Sequence, residues 1–167
     1  VFFEEAGENL DRMEQLLLEV DIESADDEEL NSIFRCAHSG KGGAATFGFA
    51  DVAELTHQME TLLDKLRRHE LAPTAAMVDV LLASGDALRA QLARHLDTVR
   101  CFVRIQLPPA LRQREQESDV VQSVCREVLH ARDGFEYHGP EAFRAWLFHW
   151  ALHKIKDRAK FFRAEKR

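Results

Sequence analysis

From Leu10 to the end of the chain, apolar side chains recur three and four positions apart and never alternate over a strand-length run. That period confines the backbone to α-helices, each carrying one apolar stripe that another helix must cover. Leu10, Met13, Leu17 and Val20 mark the first stripe, and Leu30, Ile33, Phe34, Ala37 and Ala44 the second. Val52, Leu55, Met59, Leu62, Leu63 and Leu66 mark a third. Met77, Val80, Leu81, Leu88 and Leu92 mark a fourth, with Pro73 near its start, where a missing N–H costs little. The connections are short: an acidic loop around Ile22–Asp27, a turn near Phe47–Asp51 and another near Glu70–Pro73. Four long helices joined in this way read as an antiparallel bundle.

A second group of helices follows. The fourth helix runs into the apolar stretch Val99–Leu107 with no Gly/Ser/Pro linker around Ala93–Val99, which predicts a stiff junction, and Pro108-Pro109 then ends it. Ser118 and Asp119 look like a helix start leading into Val120, Val121, Val124 and Val128. A polar segment, Asp133–Pro140, separates this from a long final helix of roughly Glu141–Arg167. The expected fold class is all-α, with domains over 1–96 and 97–167.

Charge divides at the same place. Of 22 Lys+Arg and 29 Asp+Glu, residues 1–97 hold 8 and 20 while residues 98–167 hold 14 and 9, so a net −7 hides a balance of −12 followed by +5. An acidic half repels nucleic acid and a mildly basic half is compatible with it. Cys36, Cys101 and Cys125 are odd in number and include no CxxC pair, so a reducing compartment and buried or half-buried thiols are expected rather than a disulfide framework or metal site. No apolar run approaches the roughly 18 residues of a membrane span, and no basic region followed by an apolar one opens the sequence. The expectation is a cytoplasmic protein with no membrane partner.

The most informative segment is Phe34–Phe49, where Gly40, Gly42 and Gly43 interrupt a helical pattern just after His38. Each glycine costs about 1 kcal/mol relative to Ala in a helix interior, so the segment gives up roughly 3 kcal/mol. A bare surface beside an imidazole lets another protein approach the ring; a loop or a tight helix–helix contact is the competing explanation. Lys41 stands one turn from His38, where an ammonium can steady a phosphoryl group on the ring. His57 and Glu60 repeat the same spacing on the next helix. Either can accept a hydrogen bond from one ring nitrogen of His38, fixing the tautomer and leaving the other nitrogen nucleophilic.

AHSGKGGAATFGF followed by LTHQMETLLDKLRR resembles the CheA-type histidine phosphotransfer domains, over about residues 1–96 and with both the HSxKGxxxTFGF pattern and the downstream HxxE. The resemblance implies that His38 is phosphorylated, with Lys41, His57 and Glu60 as its supporting polar cluster. It implies a phosphoryl group drawn from ATP on a separate kinase domain, no cofactor in this chain, and delivery to an aspartate on a response regulator receiver domain. Gly40 departs from the apolar residue usual in that family and removes a core contact beside the histidine.

From Thr98 the sequence resembles region 2 of extracytoplasmic-function sigma factors of the sigma-70 class, through the DxxQ of Asp119 and Gln122, the FRAWL of Phe143–Leu147 and a basic last helix. This implies that Asp119 and Gln122 face RNA polymerase core and that the following loop and helix meet −10 promoter DNA. Lys154, Lys156, Arg158, Lys160 and Arg163 form a phosphate-neutralising strip. Tyr137 and Trp150 offer faces on which unpaired bases stack at about 1–3 kcal/mol each. A solvated basic face and a core role for Trp146 and its neighbours are the plainer readings. His149 and His153 are spaced for a metal, but Trp150 stands where a zinc protease carries its glutamate, and no metal is expected. The sequence reads as a phosphotransfer module in tandem with a sigma-like module. The alternative is a transcription-initiation protein in which the bundle is only a regulatory or engineered appendage, and a helical scaffold with neither activity is a third.

Overall fold

The computed structural model describes residues 2–21, 26–46, 49–131 and 139–164, and within them all side chains except those of residues 2, 40–46, 128–130, 140 and 162. Among the described residues it is all-α, with no strand and seven helices. They are α1 (Phe2–Glu19), α2 (Asp27–Thr46), α3 (Ala50–Arg67), α4 (Ala75–Gln106), α5 (Pro109–Arg112), α6 (Glu117–Ala131) and α7 (Pro140–Ala164). The chain divides into two compact units, Phe2–Ala93 and Arg94–Arg167. No Gly or Pro interrupts residues 86–107, and the fourth helix runs on into the apolar stretch as its sequence suggests: α4 continues to Gln106, its residues up to 93 in the first unit and the rest in the second.

In the first unit, α1 to α4 form an antiparallel four-helix bundle. Phe3 at the start of α1 meets Phe49 at the start of α3, ring centroids 5.8 Å apart. His69, just past α3, reaches Asp27 at the start of α2, Nε2 to Oδ1 2.8 Å. The start of α2 is a capping box that the reading of Ile22–Asp27 as plain acidic loop overlooked. Asp26 Oδ1 accepts from the N–H groups of Glu28 and Glu29 at 2.9 and 2.8 Å, and Glu29 Oε2 accepts from the Asp26 N–H at 3.3 Å. The helix then continues through Gly40, Gly42 and Gly43 to Thr46, so the glycines mark no loop.

The core is drawn from one face of each helix. Leu10, Met13 and Leu17 of α1, Ile33 and Ala37 of α2, Met59 and Leu63 of α3, and Leu81, Leu88 and Leu92 of α4 are all buried. Val80 departs from its expected place in the α4 stripe: it lies one residue (100° of helix) from buried Leu81 and is 58% exposed. Arg89 of α4 donates to Asp11 and Glu14 of α1 at 2.9 and 2.5 Å. Burial alone lowers its pKa, but those hydrogen bonds outweigh burial and hold the guanidinium above its usual value. Cys36 lies in the core, where burial pushes its thiol up and the charges of Arg12 and Arg35 only partly offset this.

In the second unit, Val99, Val103, Leu107, Leu111, Val120, Val124, Phe143, Leu147 and Ile155 are buried, and α6 packs against α7. Phe102 stacks flat on Phe148 with centroids 3.9 Å apart. Cys101 corrects the expectation for the thiols: two residues from Val99 and two from Val103, it is turned to the opposite side of α4 and is exposed, whereas Cys36 and Cys125 are buried.

One stability prediction arises here. A Cβ built on Gly7, inside α1, meets nothing within 4 Å. Gly7→Ala is therefore expected to stabilise the bundle by about 0.5–1 kcal/mol, read as a higher urea-unfolding midpoint. An unchanged or lower midpoint would show that α1 tolerates no added side chain there.

Candidate functional site

The site is built across the seam between α2 and α3. His38 projects from α2 with its side chain 68% exposed, and Glu60 of α3 is buried, its side chain 8% exposed. His38 Nδ1 lies 2.6 Å from Glu60 Oε1. An ionised carboxylate only accepts hydrogen bonds, so Nδ1 carries the proton and donates. Nε2 is then left with its lone pair, on an imidazole open to solvent. Of the two acceptors that the sequence offered, the structure pairs Glu60, not His57, with the ring. His57 Nδ1 sits 4.0 Å from Glu60 Oε2, and its side chain is exposed.

These groups line an open groove of about 380 Å³ together with Phe34, Thr61, Asp64, Lys65 and Arg68. Phe34 stacks on the His38 ring, centroids 5.8 Å apart and planes 19° from parallel. Arg67 places its guanidinium 4.2 Å from the Phe34 centroid. Lys41 belongs to α2, three residues beyond His38, but its side chain lies outside the described residues, as does the packing around Gly40.

In the second unit, Asp119 and Gln122 are exposed on α6. The basic strip of α7 is narrower than its sequence suggests. Lys154 Nζ donates to Glu127 at 2.5 Å, and Arg158 donates to Glu115, both pairs partly buried. At i and i+4 these two cations face back toward α6 and the turn before it, so they hold α7 in place instead of standing bare in solvent. Lys156, Lys160 and Arg163 remain exposed. Trp150 is half-buried and makes edge contacts with Trp146 and His153, centroids 6.4 and 6.1 Å away. Tyr137 lies outside the described residues. His153 pairs with Asp157 at 3.0 Å. Among the described residues no group of three or more His, Cys, Asp or Glu is placed to hold a metal, and no helix is long and apolar enough to cross a membrane.

The sequence model of the Hpt domain family matches residues 1–100. The chain belongs to the Hpt domain family. Within this Hpt unit the chain is 50% identical over 91 residues to the chemotaxis protein CheA of Klebsiella aerogenes, covering 54% of this chain and 14% of that protein. The same protein of Salmonella typhimurium is 50% identical over 91 residues, with the same shares, and that of Listeria monocytogenes 38% over 93, covering 56% and 15%. The chain thus spans about a seventh of the length of these relatives. The model of Sigma-70 region 2 matches residues 92–167.

The Hpt site includes residues that spacing alone did not single out. Phe34 sits four residues before His38, on the same helical face, yet in sequence it reads as part of the α2 core stripe; the structure leaves it half-buried against the imidazole. Nothing in the sequence singles out Asp64 and Arg67. Their part follows from the α2–α3 pairing, which no local pattern reveals.

Proposed function

We propose that the Hpt unit carries a phosphoryl group on His38 in a chemotaxis-type two-component system. Nε2 attacks the γ-phosphorus of ATP held by a separate histidine kinase domain, the bond to the ADP oxygen breaks, and a phosphoramidate forms. The carboxylate of an aspartate on a response regulator receiver domain then attacks that phosphorus, and the P–N bond breaks. Glu60 keeps the proton on Nδ1, His57 adds a second polar group beside Glu60, and Lys41 steadies the phosphoryl oxygens. The chain supplies no cofactor of its own, and the setting is the cytoplasm. The observation that carries this reading is an exposed imidazole with one nitrogen tied to a buried carboxylate. Incubation with a chemotaxis kinase core and γ-labelled ATP is expected to give acid-labile label that vanishes in His38→Gln. A parent chain that takes no label overturns the reading.

A second activity is favoured by the Sigma-70 region 2 match. Asp119 and Gln122 would meet RNA polymerase core, and Lys156, Lys160, Arg163 and Trp150, with Tyr137, would meet single-stranded promoter DNA. On this alternative the bundle is a regulatory or engineered appendage to a transcription-initiation module. Anisotropy with a non-template −10 oligonucleotide is expected to show steeply salt-dependent binding. Lys156→Ala and Arg163→Ala should each reduce the salt slope by about 1. Lys154→Ala and Arg158→Ala should instead lower the unfolding midpoint, because each removes a cation that bonds a partly buried glutamate. Binding indifferent to salt overturns the DNA reading.

A further inference from the structure

We propose that Phe34 is a positioning residue for the His38 imidazole, held in that task by Arg67 and Asp64; this rests on the reading of His38 as the phosphoryl acceptor. In-line attack needs the lone pair of Nε2, which lies in the ring plane, aimed at phosphorus. The hydrogen bond from Nδ1 to Glu60 fixes one atom of the ring but not its plane, and a side chain 68% exposed has room to turn. Phe34 supplies the missing constraint. One helical turn before His38, it lays its face against the imidazole at 5.8 Å and 19°, an offset stack within the range aromatic pairs prefer.

Phe34 is itself held. The Arg67 guanidinium covers its ring at 4.2 Å, a cation–π contact. Arg67 in turn is locked by Asp64, whose Oδ1 accepts from Nε at 2.7 Å and from Nη2 at 2.6 Å, while Nη1 reaches Asn31 Oδ1 at 3.4 Å. A continuous chain of contacts therefore leads from the last turns of α3 to the reactive ring. Phe34 is only half-buried, while Leu30, Ile33 and Ala37 carry the packing of α2 into the core. Phe34, His38, Glu60 and Asp64 all line the same groove.

The test uses the full chain with a chemotaxis kinase core and ATP, and follows the initial labelling rate against chain concentration. Phe34→Leu keeps apolar bulk but has no flat face. It is expected to lower kcat about tenfold while KM stays within about twofold. Phe34→Tyr, which restores the face, should return kcat to near the parent value. A second readout needs no phosphotransfer: the carbon-bound ring protons of His38 should be displaced upfield by the Phe34 ring current, and Phe34→Leu should remove that displacement while Nδ1 keeps its proton. Equal kcat in Phe34→Leu and parent, or His38 ring protons indifferent to the substitution, overturns the inference and leaves the acceptor role of His38 standing. A parent chain that takes no label is a different result, and it takes down the phosphotransfer reading together with the purpose assigned to the stack.

Discussion

Glu60→Gln is expected to slow phosphorylation of His38 by about a hundredfold or more, with the bundle still folded. The change is nearly isosteric, so packing around α3 is preserved. What it alters is the direction of the hydrogen bond. A carboxylate 2.6 Å from Nδ1 only accepts and forces the proton onto that nitrogen. An amide can turn its NH₂ toward the ring, accept no proton from Nδ1, and drive the proton to Nε2, which removes the lone pair that attacks phosphorus. His57→Ala serves as the comparison. His57 is exposed and 4.0 Å from the Glu60 carboxylate, beyond hydrogen-bond reach, so its loss should cost no more than about fivefold. Initial rates of label incorporation and the imidazole nitrogen spectrum of each variant check both statements. A Glu60→Gln chain as fast as the His57→Ala chain would show that tautomer control plays no part.

Leu63→Ala should have the largest effect on stability, lowering the unfolding free energy of the bundle by about 2–5 kcal/mol. Leu63 is 1% exposed and stands one turn beyond Glu60, on the α3 face turned to the core. Truncation loses the transfer free energy of the removed carbons and leaves a hole that the surrounding helices close only in part. Leu18, exposed on α1, provides the contrast: Leu18→Ala should change stability by less than about 0.5 kcal/mol. Urea titrations followed by helix content measure both. Since Leu63 and Glu60 share one stretch of helix, the Leu63→Ala chain should also lose phosphorylation at urea concentrations that the parent tolerates.

The helical frame was readable because its signal is periodic and local. Leu10, Met13, Leu17, Ile33, Met59, Leu63 and Leu88 follow the 3.6-residue repeat into the core. Val80 and Leu81 stand 100° apart on α4, and nothing in the sequence says that only Leu81 turns inward. The start of α2 went unread although Asp26 and Glu29 stand at capping-box spacing, because a run of acidic residues masks the two that bond the backbone. The pairing of His38 with one of two polar neighbours was legible as a set of options, and only the rotation of α3 against α2 selects Glu60. The strip on α7 shows the same limit. Counting cations does not reveal that Lys154 and Arg158 are turned toward Glu127 and Glu115. Those pairings join residues 27 and 43 positions apart.

The proton that readies His38 and the carboxylate that holds it there come from two different helices, joined by a single short bond. Reactivity is therefore an assembled property. A free peptide bearing the glycine-rich stretch would carry the ring without its governor, and should make a poor acceptor however well a kinase grasps it.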